Sequence, residues 1–359
     1  MNIGSIFSFI WEYLLPFVIM ISVIIFIHEL GHFTTAKKFG VYCGEFAIGM
    51  GPVIWKKQKG ETQYSIRVIP VGGFVSMAGE ADDTKADANV PYERTINGIK
   101  PWKKLIVMLA GIFMNILLAW VIFIGISMYQ GTAPVPSQPV FSEIEKGSPA
   151  ESAGFEAGDQ IVSITRESGK TVTISSASQI TEEIGLYHET STFTVLRDGK
   201  EKEITVTPEK KSDGSYALGV SITSKLRKIE WYESFKYGTQ NMLDSSTLIV
   251  KSLGTLVQGK NWDQVSGPVG IVKVVGETAS GGFVSFLSLL AILSLNIGIF
   301  NAIPIPALDG GRALINIVEM ITGKAVKEKT LERLITAGFI LLFGIILFAT
   351  WNDIAKLFI

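Results

Sequence analysis

From Leu14 the chain runs through LPFVIMISVIIFI and straight into His28-Glu29-Leu30-Gly31-His32. No other stretch constrains the fold as much. About 20 mostly apolar residues are needed to cross a bilayer as a helix, and here the end of such a run carries two imidazoles and a carboxylate. Ionisable groups at that depth are expensive and mark function. On a helix, residues four apart stack on one face, so both imidazoles can reach a single zinc ion while Glu29 points toward a water beside it. The competing reading is a pair of histidines satisfied in an apolar core. The whole chain holds three histidines, and finding two of them in HExxH spacing favours the metal. A catalytic zinc takes three protein ligands and keeps a fourth position open, so a third ligand is expected elsewhere.

Composition narrows the class. An apolar share of 47% and a mean hydropathy of +0.36 point to a membrane protein, and 359 residues leave room for two or more domains. A net charge of -1 with no basic stripe argues against a nucleic-acid partner. Cys43 is the single cysteine, which excludes an internal disulfide framework and a thiolate-rich zinc site. The N-terminus is not expected to be a cleavable signal peptide, because residues 1–13 carry no Lys or Arg and the first apolar segment holds the candidate site.

Four segments are expected to span the bilayer: about 13–37, 105–129, 283–303 and 335–354. Nothing basic precedes the first, whereas residues 37–104 hold eleven Lys/Arg and residues 304–333 hold five. The positive-inside rule then places both of those loops in the cytoplasm, both termini outside, and the long 130–282 segment outside. The active site falls toward the cytoplasmic half of a plasma membrane.

Residues 41–80 do not read as an ordinary loop. Gly49-Met50-Gly51-Pro52 signals a turn, VIWKKQ and a KGET turn follow, and Tyr64, Ile66, Val68 and Pro70 alternate with Ser65, Arg67 and Ile69. A hairpin over about 49–78 is expected, continuing through Gly72, Gly73 and Phe74. Lipid does not tolerate an open sheet edge, so a hairpin dipping into the membrane must line a protein cavity, where its free edge suits an extended peptide. An ordinary amphipathic hairpin at the membrane surface is the alternative. Residues 81–100 read as a polar loop.

A compact soluble segment occupies about 138–208. Gly147-Ser148-Pro149-Ala150, Ala153-Gly154-Phe155 and Gly158-Asp159-Gln160-Ile161 are followed by a helix near 178–184 and a hairpin over 193–207 around Asp198-Gly199. These runs are similar to the PDZ domain, which binds peptide termini by strand addition and captures a carboxylate on backbone amides; the alternative is a module that only obstructs access. His188 reads as an exposed loop residue. Apolar residues recur at helical spacing over 229–257, fitting either a helix on the outer membrane surface or one packed on the PDZ-like segment. Gly267-Pro268-Val269-Gly270-Ile271 reads as a turn before the third span. The domain order is thus 1–130 membrane, 131–225 PDZ-like, 226–282 amphipathic linker and 283–359 membrane.

After the third span comes Asn301-Ala-Ile-Pro304-Ile-Pro306-Ala-Leu308-Asp309-Gly310-Gly311-Arg312. The prolines end or unwind a helix and the glycines let another begin. Asp309 is the expected third ligand, since carboxylate oxygen is a good zinc donor. The first and third spans run in the same direction and deliver both motifs to similar depth. Helix capping by Asp309 is the alternative.

HELGH, GMGP, VIPVGGFVSMAGE, AGIFMN, SGPVGI and the NAIPIPALDGG block together resemble the site-2 protease family of intramembrane zinc metalloproteases. Room for one PDZ-like insert makes the likeness closest to the Gram-positive branch. The resemblance implies a polytopic α-helical membrane protein of about four transmembrane helices, with a membrane-associated β-hairpin and an extracytoplasmic PDZ-like α/β domain. It implies that His28, His32 and Asp309 bind Zn2+, that Glu29 activates water, and that Asn301 hydrogen-bonds the substrate backbone. Interhelical polar contact is the other reading of Asn301, and Asn115 shares that ambiguity. Substrate contacts are expected from Tyr64, Ile66, Val68, Gly72, Gly73 and Phe74. Implied substrates are single-span membrane proteins already shortened by another protease, such as anti-sigma factors, and signal-peptide remnants. A silent PDZ scaffold would need neither Glu29 nor Asp309, and a metal transporter would need no general base.

Overall fold

A computed structural model describes residues 7–80, 90–134, 138–211, 216–222 and 226–356. Residues 81–89 of the expected polar loop and parts of the 131–225 segment lie outside this set. In chain order the main elements are α1 (Leu15–Lys38), β1 (Cys43–Lys59), β2 (Thr62–Met77) and α2 (Pro101–Gln130). Then come β3 (Gln160–Arg166), β4 (Thr171–Thr173), α3 (Ala177–Leu186), β5 (Ser191–Arg197) and β6 (Lys200–Val206). The chain closes through α4 (Glu233–Val257), α5 (Pro268–Ser280), α6 (Phe283–Asn301), α7 (Asp309–Thr322) and α8 (Glu328–Lys356).

Among the described residues four helices are long and apolar enough to cross a membrane: Phe7–Lys38, Pro101–Gln130, Phe283–Asn301 and Lys329–Lys356. They fit a polytopic membrane protein. Their large side chains stay outward, as Phe113, Val121, Phe339, Ile340 and Phe343 do, because lipid is as good a solvent for them as a core would be. The helices hold together through smaller contacts. Met20 and Ile24 of α1 pack with Val275 of α5 and Leu290 of α6 in one buried cluster. A second cluster joins Ala36, Val41, Cys43, Phe46, Val75, Ile99 and Val107. The compact unit formed this way comprises residues 1–126, 238–246 and 265–359.

The strand pair of this unit begins at Cys43, ahead of the hairpin expected from residue 49. The segment 43–48 pairs with 73–77, 53–59 pairs with 62–67, and 45–48 also lies beside 63–66. Each long strand therefore makes two passes. Gly49 and Gly51, both at positive φ, let β1 fold back without ending, and Gly72 does the same for β2. The GMGP stretch read as a turn does reverse the chain, inside one continuous strand. The GPVGI stretch also differs from expectation: it opens the 13-residue helix α5, with Pro268 in its first turn and Asp353 of α8 accepting from Gly270 N–H at 2.7 Å.

The second compact unit comprises residues 127–237 and 247–264. Its antiparallel sheet has the order β4-β3-β5-β6. Asp198 and Gly199 both take positive φ in the β5–β6 turn, as a two-residue hairpin of type I′ requires. Phe141, Phe155 and Phe193 form the centre of the core with Ile161, Ile180 and Leu218. Ser148 caps the short Pro149–Ala153 helix by accepting from Glu151 N–H, and Glu151 accepts from Gly147 N–H in return. Asp159 is buried and accepts from Arg197 Nε and Nη2, both at 2.7 Å, and from Glu156 N–H at 3.0 Å.

Candidate metal centre

Close helix packing builds this site. A Cβ on Gly31 of α1 would stand 2.4 Å from the Ala110 carbonyl oxygen of α2, so only glycine lets the two backbones approach this closely. At the next residue of α2, a Cβ on Gly111 would stand 2.4 Å from His32 Nε2 and 2.7 Å from His28 Nε2. The missing side chain is the space the imidazoles occupy. His28 and His32, four apart on α1, are both buried, and their Nε2 atoms lie 3.2 Å from each other.

Asp309 enters from the far end of the sequence. Pro304 and Pro306 interrupt the helix after α6, and the chain folds so tightly that a Cβ on Gly310 or Gly311 would overlap the backbone at Ala302 or Ile305. Asp309 is the first residue of α7, with Leu308 in the capping position and no side-chain cap. The helix is anchored by Asn316, which donates to the Pro101 carbonyl at 2.9 Å, and by Arg312, which pairs with Glu80 at 2.5 Å. Asp309 Oδ2 thereby reaches 3.0 Å from His28 Nε2 and 3.3 Å from His32 Nε2. It is nonetheless in hydrogen-bonding geometry with neither and is left buried without a partner.

These three residues form a group able to hold a metal ion. Tetrahedral zinc with bonds of about 2.0–2.1 Å sets its ligand atoms about 3.3 Å apart, and the three separations seen are 3.0, 3.2 and 3.3 Å. Two imidazoles and one carboxylate match a known catalytic zinc donor set. The orphaned oxygen and the glycine cradle agree with it. Outer contacts come from α2: His32 Nδ1 lies 2.8 Å from the Val107 carbonyl, and His28 Nδ1 lies 3.2 Å from Asn115 Nδ2.

Glu29 is half-buried, stands outside the three-residue group, and lies within electrostatic range of His28, His32, Asp309 and Glu80. Asn301 is the half-buried last residue of α6. The strand residues divide. Tyr64 packs edge-on against Phe33 at 5.9 Å and tilted against Phe46 at 6.1 Å, while Ile66 and Val68 are exposed. Gly73 lies against the Ala47 carbonyl, Gly72 against Met50, and Phe74 under the Arg67 guanidinium at 4.9 Å. Sequence reasoning singled out Asn115 but not the stripe it forms with Val107 and Gly111 along α2, nor the Arg312–Glu80 pair. The four-residue spacing from Gly111 to Asn115 was the available signal.

The profile of peptidase family M50 matches residues 16–345. A Clostridium perfringens protein named as a candidate zinc metalloprotease is 34% identical over 352 residues, covering 95% of this chain and 98% of the relative. A Fusobacterium nucleatum protein with a name of the same kind is 35% identical over 344 residues, with 95% and 98% covered. Zinc metalloprotease RasP of Geobacillus kaustophilus is 31% identical over 423 residues, with 97% and 99% covered. The chain belongs to peptidase family M50, the site-2 protease family, and is a zinc metalloendopeptidase of that type.

Proposed function

We propose that this protein hydrolyses peptide bonds inside the membrane-spanning segments of single-span proteins and signal-peptide remnants. The observation that carries the reading is the convergence of His28, His32 and Asp309 within a set of apolar helices, beside a carboxylate that is not part of the group. His28, His32 and Asp309 would hold the zinc. Bound there, zinc supplies Lewis acidity toward a peptide carbonyl and lowers the pKa of water toward about 7. Glu29 takes the proton from the attacking water and returns it to the leaving nitrogen as the C–N bond breaks.

A substrate helix satisfies its own backbone, so it must unwind before its carbonyls can be reached. The twice-folded β1–β2 sheet, with Ile66 and Val68 exposed, supports a role as a membrane-associated edge that pairs with the extended segment. To Asn301, the half-buried last residue of α6 and eight residues ahead of Asp309, we assign a hydrogen bond to that backbone. We read the second unit as the PDZ-like domain. An open groove of about 750 Å³, lined by Ile144, Ile180, Ile184, Leu218 and Val220, supports docking of a peptide terminus there. The charge asymmetry of the loops supports a plasma-membrane orientation with this unit outside and the zinc group toward the cytoplasmic half.

Co-expression with tagged single-span substrates tests the reading, comparing the natural chain with Glu29→Gln and Asp309→Ala and measuring zinc in each purified protein. Glu29→Gln is expected to keep zinc and lose cleavage, and Asp309→Ala to lose both. Full zinc and activity in Asp309→Ala would remove it from the ligand set. Continued cleavage by Glu29→Gln would remove Glu29 from the catalytic role, and cleavage that also persists without this protein would reopen the scaffold and transporter readings.

A further inference from the structure

The outer face of the zinc group carries an inference that rests on the ligand assignment above. A ring nitrogen that binds a metal carries no proton, so the proton of each neutral imidazole sits on the other nitrogen and needs an acceptor. Both Nε2 atoms face Asp309, which leaves both Nδ1 atoms to be answered. His32 Nδ1 has the Val107 carbonyl at 2.8 Å. Among the described residues, His28 Nδ1 has the Asn115 amide as its one hydrogen-bonding neighbour, with Nδ2 at 3.2 Å. Asn115 is fully buried and its Oδ1 has no hydrogen-bond partner. Half a turn of the terminal torsion exchanges the amide's oxygen and nitrogen, bringing Oδ1 to Nδ1.

We propose that Asn115 is a positioning residue for the metal centre: its amide oxygen accepts from His28 Nδ1–H and holds the tautomer whose Nε2 is free to ligate. Val107, Gly111 and Asn115 lie four apart, and so on one stripe of α2. The first anchors one imidazole, the second makes room for both, and the third anchors the other. The stripe is itself braced. Ser294 of α6 donates to the Asn115 carbonyl at 2.9 Å, and the notional Cβ of Gly298 lies 3.4 Å from the Asn115 Cβ. One helix thus orients both histidines through their rear nitrogens, with a main-chain oxygen for one and a side-chain oxygen for the other.

The test is the zinc affinity of the purified full chain, measured by competition with a chromophoric chelator, so that it does not depend on cleavage. Asn115→Leu removes the acceptor and is expected to weaken zinc binding by about 10–100-fold. Asn115→Asp keeps an oxygen facing Nδ1 and is expected to stay within about threefold of the natural chain. Ser294→Ala loosens the brace without touching the amide and is expected to leave affinity unchanged. Natural affinity in Asn115→Leu overturns the proposal, as does a loss in Ser294→Ala that equals it. Where Asn115→Leu does not fold, Asn115→Asp decides: retention supports the role, and a tenfold loss overturns it. A natural chain that binds no stoichiometric zinc overturns the ligand assignment itself. Zinc in the natural chain with no effect at Asn115 overturns this inference alone.

Discussion

Two aspartates, one buried and one half-buried, show how differently the two units use charge. Asp159, in the sheet unit, accepts three hydrogen bonds, two of them from one guanidinium. Asp309, in the helical unit, turns Oδ2 toward two imidazoles, and that oxygen has no hydrogen-bond partner. The first carboxylate is answered by the protein and serves stability. The second is held in place by Arg312, Asn316 and a double-proline loop, yet its own charge is left for something the protein does not supply. Buried charges that lack protein partners are costly, and a fold keeps such a group where its reactivity is the purpose.

Breaking the reactive side of this comparison should have the largest effect. Glu29→Gln is expected to lower the cleavage rate by about 10³-fold, within the range for loss of a general base, while zinc content and thermal stability stay unchanged. A timed assay with a tagged single-span substrate, alongside metal analysis, reads this out. Arg197→Met breaks the structural side. It strands the Asp159 carboxylate and is expected to destabilise the sheet unit by about 3 kcal/mol. Faster hydrogen exchange across 191–206 in the full chain would show it, with zinc retained. Third in size is Gly111→Ala, whose methyl would overlap both imidazoles. Zinc affinity is expected to fall about 10-fold or more without loss of the sheet unit.

Acid gives the smallest effect and the clearest separation. Burial raises the Asp159 carboxyl, but the Arg197 guanidinium and the Glu156 N–H outweigh it and hold the group below its ordinary value of 3.8. The unfolded chain therefore binds this proton more readily than the folded one. The associated stability is complete above that value and is lost as pH falls below it. Exchange protection across 191–206, taken relative to the unfolded chain at the same pH, should fall below about pH 4 in the natural chain, and Arg197→Met should flatten that response. An unchanged acid response in the variant would show that other groups govern the unit.

How much of this was legible in the sequence depended on range. The spanning helices announced themselves as apolar runs, because a bilayer demands continuous composition. HELGH and Asp309 stood out by chemistry alone, since few residue types ligate zinc. Contacts between distant residues left almost no trace. Asn115 meets His28 across 87 positions and Arg312 meets Glu80 across 232, and neither spacing has a pattern to read. Bends were read only in part, for another reason. Glycine and proline at 49–52 and 267–271 mark special backbone, but whether a chain turns, bulges or starts a helix there is decided by what packs beside it. The Asp198-Gly199 hairpin was easy by contrast, because its geometry is set by those two residues.

The zinc group also has a history within each molecule. His28 and His32 leave the ribosome early, on a single helix, but Asp309 follows about 280 residues later. At 5–20 residues per second that gap lasts roughly 15–55 s. Throughout it the nascent chain carries two of the three proposed zinc ligands and no peptidase. Because the third ligand also needs α2 for its anchor at Pro101, competence waits on assembly of the spans as well as on synthesis. A peptidase for which we propose cleavage within membrane segments is thereby kept inert while its own are being inserted.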